Sequence, residues 1–136
     1  MITLMLLSMM LQAPTARDLS VREPIEMYFQ AHATGNPDLI RKAFTPDATI
    51  KFVDNGQTKT WTVEEFASRF KGPAEDEDRR VRRIDSITIS GDVASAVLTL
   101  DYPQVRFTDH FLLMKSNGSW KVVTKVFHAD RKLSKK

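Results

Sequence analysis

An α+β domain, with helices gathered on one face of a curved, mixed but mostly antiparallel sheet, is what this sequence predicts. Three observations lead there. Apolar residues recur every three or four positions up to about residue 44, a period of two takes over from Ala48, and Asn55-Gly56 and Asn117-Gly118 each separate two strand-like runs. The chain has 136 residues, 42% hydrophobic and 27% charged, which suits one globular domain and excludes a disordered chain or a collagen-like repeat.

The first helix is expected from Asp18 or Ser20 to Thr34, because Val21, Ile25, Tyr28, Phe29 and His32 share one face. Pro24 lies early in it, and Gly35 is placed to end it. Asn36-Pro37-Asp38 offers a cap for a second short helix, Leu39 to Phe44. From Ala48, Ile50 and Phe52 alternate with Thr49, Lys51 and Val53. Asn55-Gly56 turns this strand into a second one, Gln57 to Thr62. Thr62-Val63-Glu64-Glu65 reads as a capping box opening a helix whose inner face is Val63, Phe66, Ala67 and Phe70, and Gly72-Pro73 closes it. Four strands then follow as a meander: Val81 to Ser90, Val93 to Leu100, Val105 to Lys115 and Trp120 to Phe127. The last two are apolar on both faces, so the sheet is expected to be covered on both sides.

Charge narrows the function classes. Twenty Lys and Arg oppose 17 Asp and Glu, and the pI is near 9.3. Arg131, Lys132, Lys135 and Lys136 crowd the end, however, and without them the body is close to neutral. Arg79, Arg80, Arg82 and Arg83 follow Glu75, Asp76, Glu77 and Asp78, and are expected to point outward and pair with these acids or with Asp85. No nucleic-acid partner is expected. With no cysteine there are no disulfides, thiolate metal sites or cysteine nucleophiles. A Gly-rich phosphate loop, a nucleophile elbow and an HExxH motif are likewise missing from the sequence.

Ile2 to Leu11 is apolar except for Thr3 and Ser8, too short for a membrane span of about 20 residues. It reads as a secretory leader cleaved after Ala16 or as an apolar extension. The expected organisation is therefore residues 1–16 as that leader or extension, 17–130 as one domain and 131–136 as a basic frayed tail. A cleaved leader implies a periplasmic or secreted protein; an uncleaved one implies a cytoplasmic protein.

The residues also carry a resemblance. Tyr28-Phe29-Gln30-Ala31-His32-Ala33-Thr34-Gly35-Asn36, then Phe44-Thr45-Pro46-Asp47-Ala48, then Gly118-Ser119-Trp120-Lys121-Val122-Val123 resemble the nuclear-transport-factor-like superfamily, which includes ketosteroid isomerases and SnoaL-like cyclases. Phe107-Thr108-Asp109-His110 with Trp120 to Phe127 is most similar to its lumazine-binding-like branch. The resemblance covers about Val21 to His128. It implies a cone, with the sheet wrapped around the N-terminal helices and a pocket, and a homodimer through the sheet's outer face.

Carried over residue by residue, the resemblance puts Tyr28, seven before Gly35, at the isomerases' enolate-donor position. Asp47-Ala48-Thr49 is present, but the general-base position falls on Phe52, and a phenyl ring removes no proton. The second donor position falls on His110, or on Asp109 if the register slips by one.

Candidate ligand-binding residues are Tyr28, His32, Phe52, Trp61, His110 and His128, with Tyr28, His32 and His110 as candidates for any catalysis. Tyr28 and His32 lie four apart on one helix face. Asp109 and His110 face opposite sides of a strand, so they form no direct base–orienter pair. Pairing about Asn117-Gly118 sets His110 opposite about residue 125, with His128 further along. Trp120 is expected in the core, and Trp61 at the pocket rim. The three histidines match no short metal-ligand spacing, so neither metal nor cofactor is expected. The functional reading is a small-molecule binding domain for an aromatic or heterocyclic ligand, leaning away from catalysis. The alternatives are a dehydratase, cyclase or isomerase using a histidine with Tyr28, and a dimerising interaction module.

Overall fold

The computed structural model describes residues 19–133, so the expected leader and the last three residues of the expected tail lie outside it. Helix α1 (Arg22–Thr34) turns Ile25, Tyr28 and Ala31 inward. Gly35 ends it in the left-handed region, φ 67°, with its N–H on the Ala31 carbonyl. A Cβ at Gly35 would lie 1.9 Å from the Gly72 carbonyl oxygen, and the Gly72 N–H bonds the Gly35 carbonyl at 3.0 Å, so only glycine fits. Helix α2 (Pro37–Ala43) takes Pro37 into its first turn and is capped by Asn36, which accepts from the Asp38 N–H. It stops short of the expected Phe44, which is already extended and opens the first strand.

Strands β1 (Phe44–Asp54) and β2 (Gln57–Thr62) form the expected hairpin, with Asn55 at φ 49° and Gly56 at φ 76° in the turn. The alternation from Ala48 misses the start of β1. Between Phe44 and Thr49 its ladder is interrupted, and Pro46, with no N–H to donate, falls in that gap. Helix α3 (Val63–Ala67) begins at the capping box, Thr62 accepting from the Glu65 N–H while the Glu65 carboxylate accepts from the Thr62 N–H. It is shorter than the run to Phe70 suggests, because Arg69 and Phe70 bond back only three residues and tighten the end.

After a 3₁₀ turn (Glu77–Arg79) come β3 (Val81–Ser90), β4 (Val93–Asp101), β5 (Val105–Ser116) and β6 (Ser119–Arg131). The sheet order is β2-β1-β6-β5-β4-β3, antiparallel throughout except for the parallel pair β1 and β6. The result is the α+β cone, one curved mixed sheet with three helices against its inner face.

Two expectations are met only in part among the described residues. Among the described residues of one chain the sheet is covered on one side only, and Leu112, Met114 and Val126 on the outer face stay 53%, 49% and 46% exposed. The chain end is also less frayed than expected, since β6 includes Arg131 and Lys132 bonds the Gln104 carbonyl through its N–H and Asp101 through Nζ at 2.6 Å.

Bulges decide which side chains enter the cone. The register of β5 with β6 runs Leu112 to Thr124 and then Leu113 to Val122, leaving Val123 over. Before it β6 buries Trp120 and Val122; after it Lys125 is the buried residue, while Val126 and His128 are exposed. A second bulge leaves Asp85 over between Ile84 and Ser86 of β3. The arginine run finds its expected acids, with Arg80 on Asp76, Arg82 on Glu77 and Arg83 on Asp85, but Arg82 does not point outward. It pairs across from Leu100 and is largely buried.

Candidate functional site

The wide end of the cone holds a cavity of about 650 Å³, within the usual range for small-molecule sites. Its outer part is aromatic. Phe52 lies 4.5 Å from Trp61 and 4.9 Å from Phe127, centroid to centroid, and Phe66 lies 5.1 Å from Phe70. β1 and β2 present Phe52 and Trp61, α3 presents Phe66, and the bulge at Val123 turns Phe127 inward. Arg69 lies over the Trp61 ring, 3.8 Å from its centroid, and Lys59, Arg131 and Asp54 complete the exposed rim.

At the inner end, Tyr28, His32 and Lys125 line the cavity. The Tyr28 hydroxyl donates to Asp109 Oδ2 at 2.5 Å and accepts from Lys125 Nζ at 2.9 Å, and Nζ lies 3.8 Å from the same carboxylate oxygen. Asp109 is 0% exposed and Lys125 4%, so this is a buried ion pair bridged by a phenol. Burial, reinforced by the Asp109 charge, raises the Tyr28 pKa well above the ordinary phenol value, which keeps its proton in place. Burial also lowers the Lys125 pKa, opposed by Asp109. The ammonium sits against the Phe66 and Phe127 rings, 4.4 Å and 4.6 Å from their centroids.

His32 is held by a second chain of groups. Glu77 takes both terminal nitrogens of Arg82, at 2.6 Å and 2.8 Å, and Arg82 Nε donates to the Tyr102 hydroxyl at 3.0 Å. That hydroxyl lies 3.1 Å from His32 Nδ1. With Arg82 donating into the phenol oxygen, the arrangement that uses every group has Tyr102 donating to Nδ1, which places the imidazole hydrogen on Nε2. Burial first, then the charges of Lys125, Arg82 and Arg80, lowers the His32 pKa well below its usual value and keeps the ring neutral. Nε2 is buried with no hydrogen-bond partner.

Of the residues singled out in the sequence, Tyr28, His32, Phe52 and Trp61 line this cavity, and Trp120 is in the core. His110 and His128 do not join them. Both are exposed on the outer face, where they border shallow grooves with Val126. The bulge shifts the pairing by one, so His110 lies opposite Val126 and His128 opposite Thr108. Asp109 takes the inward place beside Tyr28. Two residues of the polar cluster were thus missed or held only as a register alternative, although both leave a signal. Asp109 shares parity with Phe107 and Phe111, and Lys125 is a cation inside a run apolar on both faces. Among the described residues, no group of three His, Asp or Glu side chains is arranged to hold a metal ion, and no helix is long and apolar enough to cross a membrane.

The fold is that of the cone-shaped, nuclear-transport-factor-like class. The chain belongs to the family described as putative lumazine-binding, whose model matches residues 16–128. Among solved structures it is similar to an NTF2-like protein of unknown function from Shewanella baltica OS155, with 26% identity, 88% of this chain and 98% of that one covered, and a TM-score of 0.77. Another, from Methylobacillus flagellatus KT, shares 29% identity over 86% of this chain and 95% of that one, with a TM-score of 0.74. A third, from Silicibacter pomeroyi DSS-3, shares the fold at 21% identity, with 84% and 96% covered and a TM-score of 0.71. No curated protein matches the chain.

Proposed function

We propose that the domain binds a flat aromatic or heterocyclic small molecule in the cone cavity and does not turn it over. The supporting observation is an aromatic-walled cavity whose inner end presents no free carboxylate or imidazole base among the described residues: Phe52 stands on its wall, the Asp109 oxygen nearest Tyr28 is taken, His32 Nδ1 is turned to Tyr102, and Asp54, the carboxylate in the lining, stands at the exposed rim. A thermal-shift screen of lumazine, flavin precursors, steroids and aromatic polyketides tests it. Saturation at 100 times Kd stabilises the fold by about 2.7 kcal/mol, so a true ligand gives a clear rise in Tm. If every compound leaves Tm unchanged at high concentration, the reading fails.

One observation favours a second reading, a dehydratase, cyclase or isomerase. Tyr28 and His32 meet edge to face at 4.7 Å, and Asp109, Tyr28 and Lys125 form a hydrogen-bonded and ionic chain ending at the cavity. Under that reading Tyr28→Phe abolishes turnover of a bound substrate while affinity persists; under the first, it changes affinity alone.

The outer sheet face supports a homodimer. Val97, His110, Leu112, Met114, Thr124 and Val126 form a largely apolar patch on strands that, among the described residues, no helix covers. Leu112→Glu is expected to convert a dimer to a monomer in light scattering; a monomeric parent protein rejects this. Export is proposed on the apolar run Ile2 to Leu11. Mass spectrometry of the mature N-terminus decides it, and a protein starting at Met1 rejects it.

A further inference from the structure

We infer that the ligand of this cavity is an anion: a flat aromatic body carrying a carboxylate or an ionised enol or imide, whose charged end meets Lys125 Nζ. The inference rests on the binding reading above and adds the ligand's charge. Polar groups facing the inner end offer hydrogens and little else. Lys125 has three N–H bonds; one goes to the Tyr28 oxygen at 2.9 Å, and a second faces Asp109 at the longer distance of 3.8 Å, which leaves the third for a ligand. His32 Nε2 carries a hydrogen without a partner. The Tyr28 oxygen is already engaged by Lys125, and its hydrogen by Asp109. Asp109, the one nearby anion, is not on the cavity wall; it lies beyond the Tyr28 hydroxyl.

Unused donors in a dry site are costly until an acceptor arrives, and a charged acceptor gains most from them. A ligand ammonium at the same place would face Lys125 with no exposed carboxylate to offset the repulsion. The rim has the same bias. Lys59, Arg69 and Arg131 stand against Asp54 alone, and among the described residues none of the three cations is held in an ion pair. A cleft with a positive mouth and a cation at its base draws anions inward. The aromatic lining, Phe52, Trp61, Phe66, Phe70 and Phe127, favours a flat ring system between the two.

Calorimetry with three matched probes, 2-naphthoate, 2-naphthamide and 2-naphthylmethylamine, tests this on the full chain. The carboxylate is expected to bind about tenfold or more tighter than the amide, as one charge-assisted bond supplies, with the amine weakest. Lys125→Met should bring carboxylate and amide to similar affinity, the carboxylate losing about tenfold more than the amide. Should that variant fail to fold because Asp109 is left unpaired, Lys125→Met with Asp109→Asn removes both charges and gives the same readout. Equal binding of the three probes to the unaltered protein overturns the inference and leaves the pocket reading standing. Silence of all three overturns both.

Discussion

The two ends of the cone are built from the same strands but hold different things. At the narrow end Phe44, Ile40, Trp120, Val122, Phe111 and Leu113 are buried and fill the interior. At the wide end Phe52, Trp61, Phe107 and Phe127 are only partly buried and enclose space. The boundary falls at Tyr28, Asp109 and Lys125, the lysine two residues along β6 from the bulge at Val123. A single extra residue thus moves β6 from packing the core to lining a cavity, and brings a lysine inward at the crossing. The polar cluster therefore stands as a partition between a packed end and an open one.

The largest expected effect separates the ends by stability. Phe111→Ala, in the narrow end against Tyr28 and Phe44, should cost about 3–5 kcal/mol in chemical denaturation. Phe127→Ala, on the cavity wall, should cost much less and instead weaken binding of any ring-shaped ligand. Equal losses would mean that the wide end is packed like the narrow one. Next comes the partition itself. Asp109→Ala leaves Lys125 buried and unpaired and should cost about 3 kcal/mol or more. Replacing the whole cluster, Tyr28→Phe with Asp109→Leu and Lys125→Met, should recover most of that loss, because no polar atom then lacks a partner. A triple variant less stable than Asp109→Ala would show that the cluster stabilises the fold by itself.

The sequence makes the narrow end legible and the wide end only in part, for reasons visible in particular residues. Helix spacing places Tyr28 and His32 on the inner face of α1, and the two Asn-Gly turns and the Thr62 capping box are local features that tertiary packing leaves intact. Strand parity is different, since it holds only until a bulge resets it. Counting on from Trp120 and Val122 sends Val126 and His128 inward, whereas Val123 reverses the count and sends them out. The histidine site imagined from His110 and His128 dissolves for that reason, and Lys125 takes the place. Bulges of this kind depend on partner-strand pairing and leave no fixed residue signature in their own strand.

A smaller effect tests whether the wide end is as dry as its geometry suggests. His32 is kept neutral in the folded state by burial and by the cations Lys125, Arg82 and Arg80, while in the unfolded chain it titrates near 6.5. Below that pH the unfolded state binds a proton that the folded state refuses, so stability falls as pH falls; above it the two states bind equally and the contribution is flat. The loss between pH 8 and pH 5.5 should reach about 1 kcal/mol and stop growing only at the folded-state pKa. His32→Gln, which cannot take up the proton, should flatten that part of the profile in denaturation measured at fixed ionic strength. If both profiles slope alike, His32 accepts its proton in the folded domain as readily as in the unfolded chain. Water would then reach Nε2, and the inner end of the cavity would no longer be the dry, donor-lined site that distinguishes it from the rim.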